Sequence, residues 1–342
     1  MSSNPPVVVT GATGLIAKHT IAEFLRRGYA VRGTLRSMEK AEDVRRAVTR
    51  LGGDAGNVSF IVADLSSDAG WDEAVAGSQI VVHSASPFPM AQPDDPEEVI
   101  GPARDGTVRV LKAATRASVA RVVVTSSTVA IFYPSGRPKG HVYSEEDFTD
   151  ETRADLTPYI KSKAIAEKAA WDFIESTPGA PTLVAINPSF VQGPAPDADL
   201  STSHELYRVM AKGTYPAVPS ISFPISDVRD VAAAHVEAGL RPDVVGNRYL
   251  IGEGLLSLYE LGQIMARELP DLRSKVPKLE LPDVAVRAMA VFDKKLRTVL
   301  PELGEKKAYT NAKAKADLGL TLRNADEAAT AAIRSLRDLR LI

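Results

Sequence analysis

The stretch Val7-Val-Val-Thr10, Gly11-Ala-Thr-Gly14, Leu15-Ile-Ala17 constrains this chain more than any other. A run of β-branched apolar residues without polar alternation reads as a strand buried on both faces, as in a parallel sheet. It passes directly into a glycine turn, after which Leu15, Ile21, Ala22, Phe24 and Leu25 recur at helical spacing. Gly28 stands where a left-handed residue would close that helix. Strand, glycine turn and helix together aim free backbone N–H groups and a helix N-terminus at one point, a site suited to a pyrophosphate. The pattern is Gly-x-x-Gly-x-x-Ala, and the small Ala17 lets helix approach strand where a third glycine is more usual.

The alternation continues along the chain. Residues 29–35, 58–63, 80–84 and 121–127 read as strands, and 39–51, 71–75 and 96–118 as helices. This spacing predicts an α/β fold with a doubly wound parallel sheet, whose ligands bind outside the carboxyl ends of the strands. Gly11, Arg36, Asp64, Ser84 and Ser127 all fall at such ends. Residues 131–156 then form a long irregular loop, of a kind that commonly wraps a site. A helix containing Tyr159 and a strand over 182–187 follow. Beyond Asn187 the alternation loosens into helices over 205–212, 228–241 and 258–269, separated by proline-rich links. We expect a dinucleotide-binding domain of residues 1–187 and 225–251, and a smaller, discontinuous C-terminal substrate domain of 188–224 and 252–342.

Arg36 bears on which dinucleotide binds. It lies 22 residues beyond Gly14, where an acidic residue would bind a ribose 2′-hydroxyl and an arginine suits a 2′-phosphate. Ser37 and Lys40 stand close by as further partners. Arg32, inside the strand, reads as a packing or ion-pair residue.

Composition closes off other classes. The formal net charge is −2, so no overall basic field addresses nucleic acid or an anionic membrane. With no cysteine, disulfides, thiolate nucleophiles and Cys-ligated metals are excluded. His83, His141, His204 and His235 lack metal-ligand spacing, and no metal site is expected. The N-terminus shows no charged segment followed by an apolar one, and no apolar run is long enough to span a bilayer. A cytoplasmic protein is the expectation.

On a helix, Tyr159 and Lys163 would share one face, setting an ammonium beside a phenol. A nearby positive charge favours the phenolate and tunes the group for acid–base work. Tyr309 and Lys313 repeat the spacing, so spacing alone does not choose between them.

With Gly11-Ala-Thr-Gly14, Thr125-Ser-Ser127, Tyr159-Ile-Lys-Ser-Lys163 and Asn187-Pro-Ser189 in order, the chain resembles the extended short-chain dehydrogenase/reductases, which are built on a Rossmann fold. It is most similar to their dihydroflavonol reductase-like branch of NADPH-dependent aldehyde and ketone reductases. Val31-Arg-Gly-Thr-Leu-Arg36, the 223–235 segment and Lys313-Ala-Lys-Ala-Asp-Leu-Gly319 carry that closer likeness.

The resemblance implies catalysis by Ser127, Tyr159 and Lys163, with Ser126 the fallback serine. Ser127 and Tyr159 would bind the substrate carbonyl oxygen, and Tyr159 would donate the proton. Lys163 would hold the nicotinamide ribose and lower the tyrosine pKa. The NADPH/NADP+ site implied comprises Gly11, Thr13, Gly14, Leu15, Ile16, Arg36, Lys40, Asp64, Leu65, Ser84, Ala85, Ser86, Tyr159, Lys163, Pro188, Ser189 and Val191. Phe88, Met90, Phe132, Phe190 and Tyr207, with Ser127, are the candidate substrate wall. Tyr309 and Lys313 fall in the family's C-terminal segment and take a structural role, away from the sheet's carboxyl edge.

The expected partner is a small carbonyl compound, and the chain would be a monomer or homodimer. One alternative is a nucleotide-sugar epimerase or dehydratase of the same fold. Ser127 is followed by Thr128 and Val129 rather than the Asp-Glu pair of dehydratases, and Arg36 does not suit tightly held NAD. A non-catalytic NADP-binding regulator is the other alternative, and it would not need Tyr159 and Lys163.

Overall fold

The computed structural model describes residues 4–86, 95–291 and 300–342. Strands β1 (Val7–Val9), β2 (Val31–Leu35), β3 (Val58–Val62), β4 (Ile80–His83) and β5 (Arg121–Thr125) form where β-branched runs occur. A short β6 (Val142–Tyr143) lies in the long loop, followed by β7 (Thr182–Pro188), β8 (Phe190–Gln192), β9 (Ala217–Pro219), β10 (Ser222–Asp227) and β11 (Arg248–Ile251). After these come β12 (Leu255–Ser257), β13 (Leu279–Leu281) and β14 (Ala308–Tyr309).

The main sheet has seven strands in the order β11-β7-β5-β4-β1-β2-β3, and every neighbouring pair is parallel. Helices cover both faces. On one side α1 (Leu15–Arg26), α2 (Ala41–Arg50) and α7 (Val228–Leu240) bury Ile21, Phe24, Val44 and Val231 against Val7 and Val9. On the other, α3 (Trp71–Val75), α4 (Glu97–Arg116) and α5 (Pro158–Ser176) bury Trp71, Leu111 and Ala170 against Val8, Val81 and Val122. Successive valines of β1 thus serve opposite cores, as the two-residue period of a strand requires. Full burial of each such side chain is worth about 1.5–3 kcal/mol. Strand order reverses between β1 and β4, which opens a crevice at their carboxyl ends.

A second, three-stranded sheet of β12, β10 and β8 carries the C-terminal half. Beside it α6 (Thr202–Ala211), α8 (Leu258–Glu268) and the C-terminal helix Ala325–Asp338 enclose their own apolar core. Residues 225–227, grouped with the large sheet in the sequence, pair with β8, while α7 and β11 return to the large sheet. No helix among the described residues is long and apolar enough to cross a membrane. Nor do these residues gather three or more metal-ligating side chains.

Candidate active site

The glycine turn is tight against its neighbours. Gly11 is left-handed at φ +66°, and a Cβ there would lie 3.0 Å from the Cα of Ala85. Only glycine combines that conformation with that approach. Gly14 opens α1 without any side-chain cap, so the first-turn N–H groups of a 12-residue helix stay open to an anion. Ala17 is fully buried in the helix–sheet core, so the departure from glycine is absorbed by packing. Leu15 is buried and Ile16 packs partly against the same core, which leaves their backbone as the part that faces the turn.

Two threonines brace the crevice. Thr34 Oγ1 accepts from Gly11 N at 3.1 Å, and Thr10 Oγ1 accepts from Ser84 N at 3.1 Å and Ala85 N at 3.0 Å. Thr10 therefore has only its proton left, and gives it to His83 Nδ1 2.9 Å away. His83 Nε2 faces the Thr107 hydroxyl at 3.3 Å, and that hydroxyl donates to Ala103 O at 2.8 Å. The chain is complete with His83 neutral and protonated on Nε2. Burial, followed by the Lys163 charge, holds its pKa down near 3.

Arg36 is exposed at the end of β2, and its charge helps lower the pKa of Asp64, after the hydrogen bonds Asp64 accepts from Ser66. Leu65 packs beneath, against Gly106 of α4. Thr13 and Lys40 line one cleft of about 530 Å³ together with Arg46 and Arg50, two cations the sequence reading did not single out. Arg32 serves packing: it donates to the Ala74 and Ala76 carbonyls at 2.9 and 2.8 Å, closing the end of α3. A left-handed glycine cradle, an uncapped helix start and a basic strand end fit a dinucleotide bearing an extra phosphate.

The reactive groups meet past β5. Ser127 Oγ accepts from Val129 N at 3.3 Å, so its proton is free to point elsewhere, and the hydroxyl hydrogen-bonds to Tyr159. Thr157 caps α5 by accepting from Ile160 N, and Pro158 fixes the first turn, so Tyr159 and Lys163 enter on one helical face. Both residues are half-buried, yet their polar heads are set deep. Burial raises the Tyr159 pKa to about 12, with the Ser127 hydrogen bond pulling the other way. Burial lowers Lys163 to about 8, against the Glu167 carboxylate, which raises it. The sequence reading expected Lys163 to lower the tyrosine pKa; burial instead raises it, and the contribution pulling it down is the Ser127 hydrogen bond.

Other expected residues are placed differently. Pro188 ends β7, and just beyond it Ser189 N donates to Ser226 Oγ at 2.8 Å, while Val191 lies in β8. Tyr207 is wholly buried in the core of the second sheet's helices, and Phe132 is buried against Tyr143, Ile160 and Tyr309. These two are core aromatics in the structure, because each sits on the inward face of its segment, where a large ring fills space. Phe190 stacks on Phe223 at 4.8 Å and is only partly buried. Phe88 and Met90 lie outside the described residues.

The sequence reading missed the groups behind the site. Asn187 Nδ2 donates to Ser127 O at 3.1 Å and to Glu167 Oε2 at 2.8 Å. Glu167 pairs with Arg248 at 2.5 Å. A glutamate four residues after Lys163, and an arginine in the otherwise apolar Arg248-Tyr-Leu-Ile251, were the available signals.

Comparison with known proteins assigns the chain to a family. The model of the NAD dependent epimerase/dehydratase family matches residues 7–252, and the chain belongs to that family. Within it the chain is an extended short-chain dehydrogenase/reductase of the dihydroflavonol reductase-like branch. It is 31% identical over 347 residues to the ketoreductase azaE of Aspergillus niger, covering 96% of this chain and 97% of that one. To the NADPH-dependent methylglyoxal reductase GRE2 of Saccharomyces cerevisiae it is 32% identical over 292 residues, covering 79% and 84% of the two chains. The crystal structure of yeast methylglyoxal/isovaleraldehyde reductase Gre2 complexed with NADPH superposes with a TM-score of 0.80 at 28% identity, over 98% of this chain and 100% of that one.

Proposed function

We propose that this chain reduces an aldehyde or ketone to the alcohol with NADPH, reversibly, with Tyr159 as the proton donor. The observation that carries the reading is the Ser127–Tyr159 hydrogen bond, with Lys163 one turn further along α5. NADPH, when bound, supplies the hydride. The Gly11–Gly14 turn and the start of α1 would hold its pyrophosphate, and Arg36 and Lys40 would hold the 2′-phosphate.

Ser127 already accepts from Val129 N, so it approaches a carbonyl oxygen as a donor. Tyr159 is the second donor, and with a pKa near 12 it carries its proton throughout the neutral range. As the carbonyl carbon is reduced, the oxygen becomes strongly basic and takes that proton. Lys163, with a pKa near 8, is an ammonium at pH 7 and stabilises the phenolate left behind. Both donors act on charge that exists only late in the reaction, which is where stabilisation accelerates it.

The test is a carbonyl panel of α-keto aldehydes, aryl ketones and flavonoid ketones, followed by loss of reduced-nicotinamide absorbance. At least one member should be reduced, faster with NADPH than with NADH. Failure of the whole panel with a folded, NADPH-binding protein would sink the reading.

A further inference from the structure

Behind the reactive face lies a buried polar cluster to which the reading above gives no role. Its centre is Glu167, 3% exposed and one helical turn beyond Lys163 on the same face of α5. Its Oε2 accepts from the Ser126 hydroxyl and from Asn187 Nδ2. Its Oε1 accepts from Arg248 Nε at 2.5 Å and Trp171 Nε1 at 3.3 Å. Arg248 is equally buried, donates to the Glu145 and Asp147 carbonyls at 2.8 and 2.6 Å, and stacks on the Phe148 ring at 3.7 Å. One carboxylate thus joins the reactive helix to the segment after β5, the end of β7, β11 and the long loop.

Glu167 and Lys163 both line a small cavity of about 20 Å³, with His83, Thr107 and Ser126 as further polar walls beside Ala85, Val124 and Ala166. That is room for about one water. Among the described residues, the groups that share this cavity with Lys163 can be named. His83 of β4 is neutral, Thr107 of α4 and Ser126 are uncharged, and Tyr159 is protonated. Arg248 is bonded to Oε1 of the carboxylate and does not line the cavity. Glu167 is the anion of this set.

We propose that Glu167 is a positioning residue for the reaction: its carboxylate fixes the Ser126–Ser127 segment against α5 and shares one small cavity with the Lys163 ammonium. This rests on the reading of Tyr159, Ser127 and Lys163 given above. Asn187 extends the frame, since its two amide protons tie Glu167 to the Ser127 carbonyl. Glu167 also keeps Lys163 charged: it raises the lysine pKa against the burial that lowers it. Removing its charge deprotonates Lys163 at a lower pH.

The test compares pH profiles of kcat/KM for the wild type, Glu167→Gln, Glu167→Asp and Ser126→Ala, with Tm measured for each. In Glu167→Gln the alkaline limb should move down by about 0.5–1 pH unit, so the loss of rate is larger at high pH than at neutral pH. Glu167→Asp, which keeps the charge, should return the limb toward the wild-type position even where kcat stays low. A purely structural residue would lower Tm and rate without moving the limb, and that result overturns the proposal. Ser126→Ala serves if Glu167→Gln does not fold. It leaves the carboxylate with one donor fewer and should move the limb up, and no movement there also overturns the proposal. Tyr159→Phe run alongside separates the two levels. Full turnover in that variant would refute the underlying site, whereas an inactive Tyr159→Phe with unmoved limbs elsewhere refutes only the role of Glu167.

Discussion

The same four-residue spacing occurs twice in this chain and builds two different things. Tyr159 and Lys163 lie in the first turns of α5, so the helix sets both on one face. Tyr309 is in β14, and the next helix begins only at Ala312, so no helical face joins it to Lys313. Lys313 instead lies over the Tyr249 ring at 5.4 Å. The Tyr309 hydroxyl donates to the Gly254 carbonyl at 3.1 Å, a partner that has no proton to relay. Burial, then the Glu253 carboxylate, raise its pKa. The sequence reading set Tyr309 away from the sheet's carboxyl edge. In the structure it is close by, against Gly252 just past β11 and 6.2 Å from the Phe132 ring. What separates the pairs is therefore backbone and partners rather than distance from the site. A motif of two residues has chemical meaning only through the element that carries it.

The largest effect should come from the pair on α5. Tyr159→Phe removes one hydroxyl and should lower kcat by about 10²–10⁴-fold, the usual contribution of a positioned acid. NADPH affinity, measured by fluorescence titration, should change little. Near-wild-type turnover would erase the distinction between the two tyrosines.

Next is Arg36→Asp, which asks whether the cofactor lies at the edge where Tyr159 stands. A charge-assisted contact to phosphate is worth about 1.5–3 kcal/mol, so NADPH preference over NADH should fall by about 10–100-fold in kcat/KM. An unchanged ratio would remove the 2′-phosphate from Arg36 and weaken the case for this edge.

Much of this was legible in sequence because it is local. Buried β-branched runs, a left-handed glycine, a threonine-proline helix start and a basic strand end each act over a few residues. The parts that were not legible depend on pairing at long range. β8 and β10 are three-residue and six-residue strands joined across a helix, too short and proline-broken for a period to emerge. Glu167 and Arg248 are 81 positions apart, and each looks like an ordinary surface charge until the fold buries both. Tyr207 and Phe132 illustrate the converse: an aromatic near a site in sequence serves equally as pocket wall or as core, and only the fold shows that both are buried in apolar clusters.

A third test reads the environment of the α5 pair directly. Lys163, lowered to about 8, is protonated below that pH and loses its charge as the pH rises through it. Tyr159, near 12, keeps its proton over the same window. kcat/KM should hold steady from about pH 6 to 7.5 and then fall, approaching tenfold per unit above the Lys163 pKa. A profile flat to pH 10 would mean that the ammonium is not required.

Tyr309→Phe should have the smallest effect, and it tests the comparison from the other side. The substitution removes the hydrogen bond to Gly254 and keeps the ring that packs on Phe132. A net loss of about 0.5–1.5 kcal/mol is expected, because the carbonyl left behind is near the surface and can find water. For a chain of this size that is a Tm decrease of about 1–4 °C. kcat should stay within about twofold, since no group that touches substrate has changed. The ring shares its cluster with Ile160, next in the chain to Tyr159, so a disturbance of packing could reach α5. Keeping the ring guards against that, and a rate loss approaching that of Tyr159→Phe with an unchanged Tm would assign the chemistry to Tyr309.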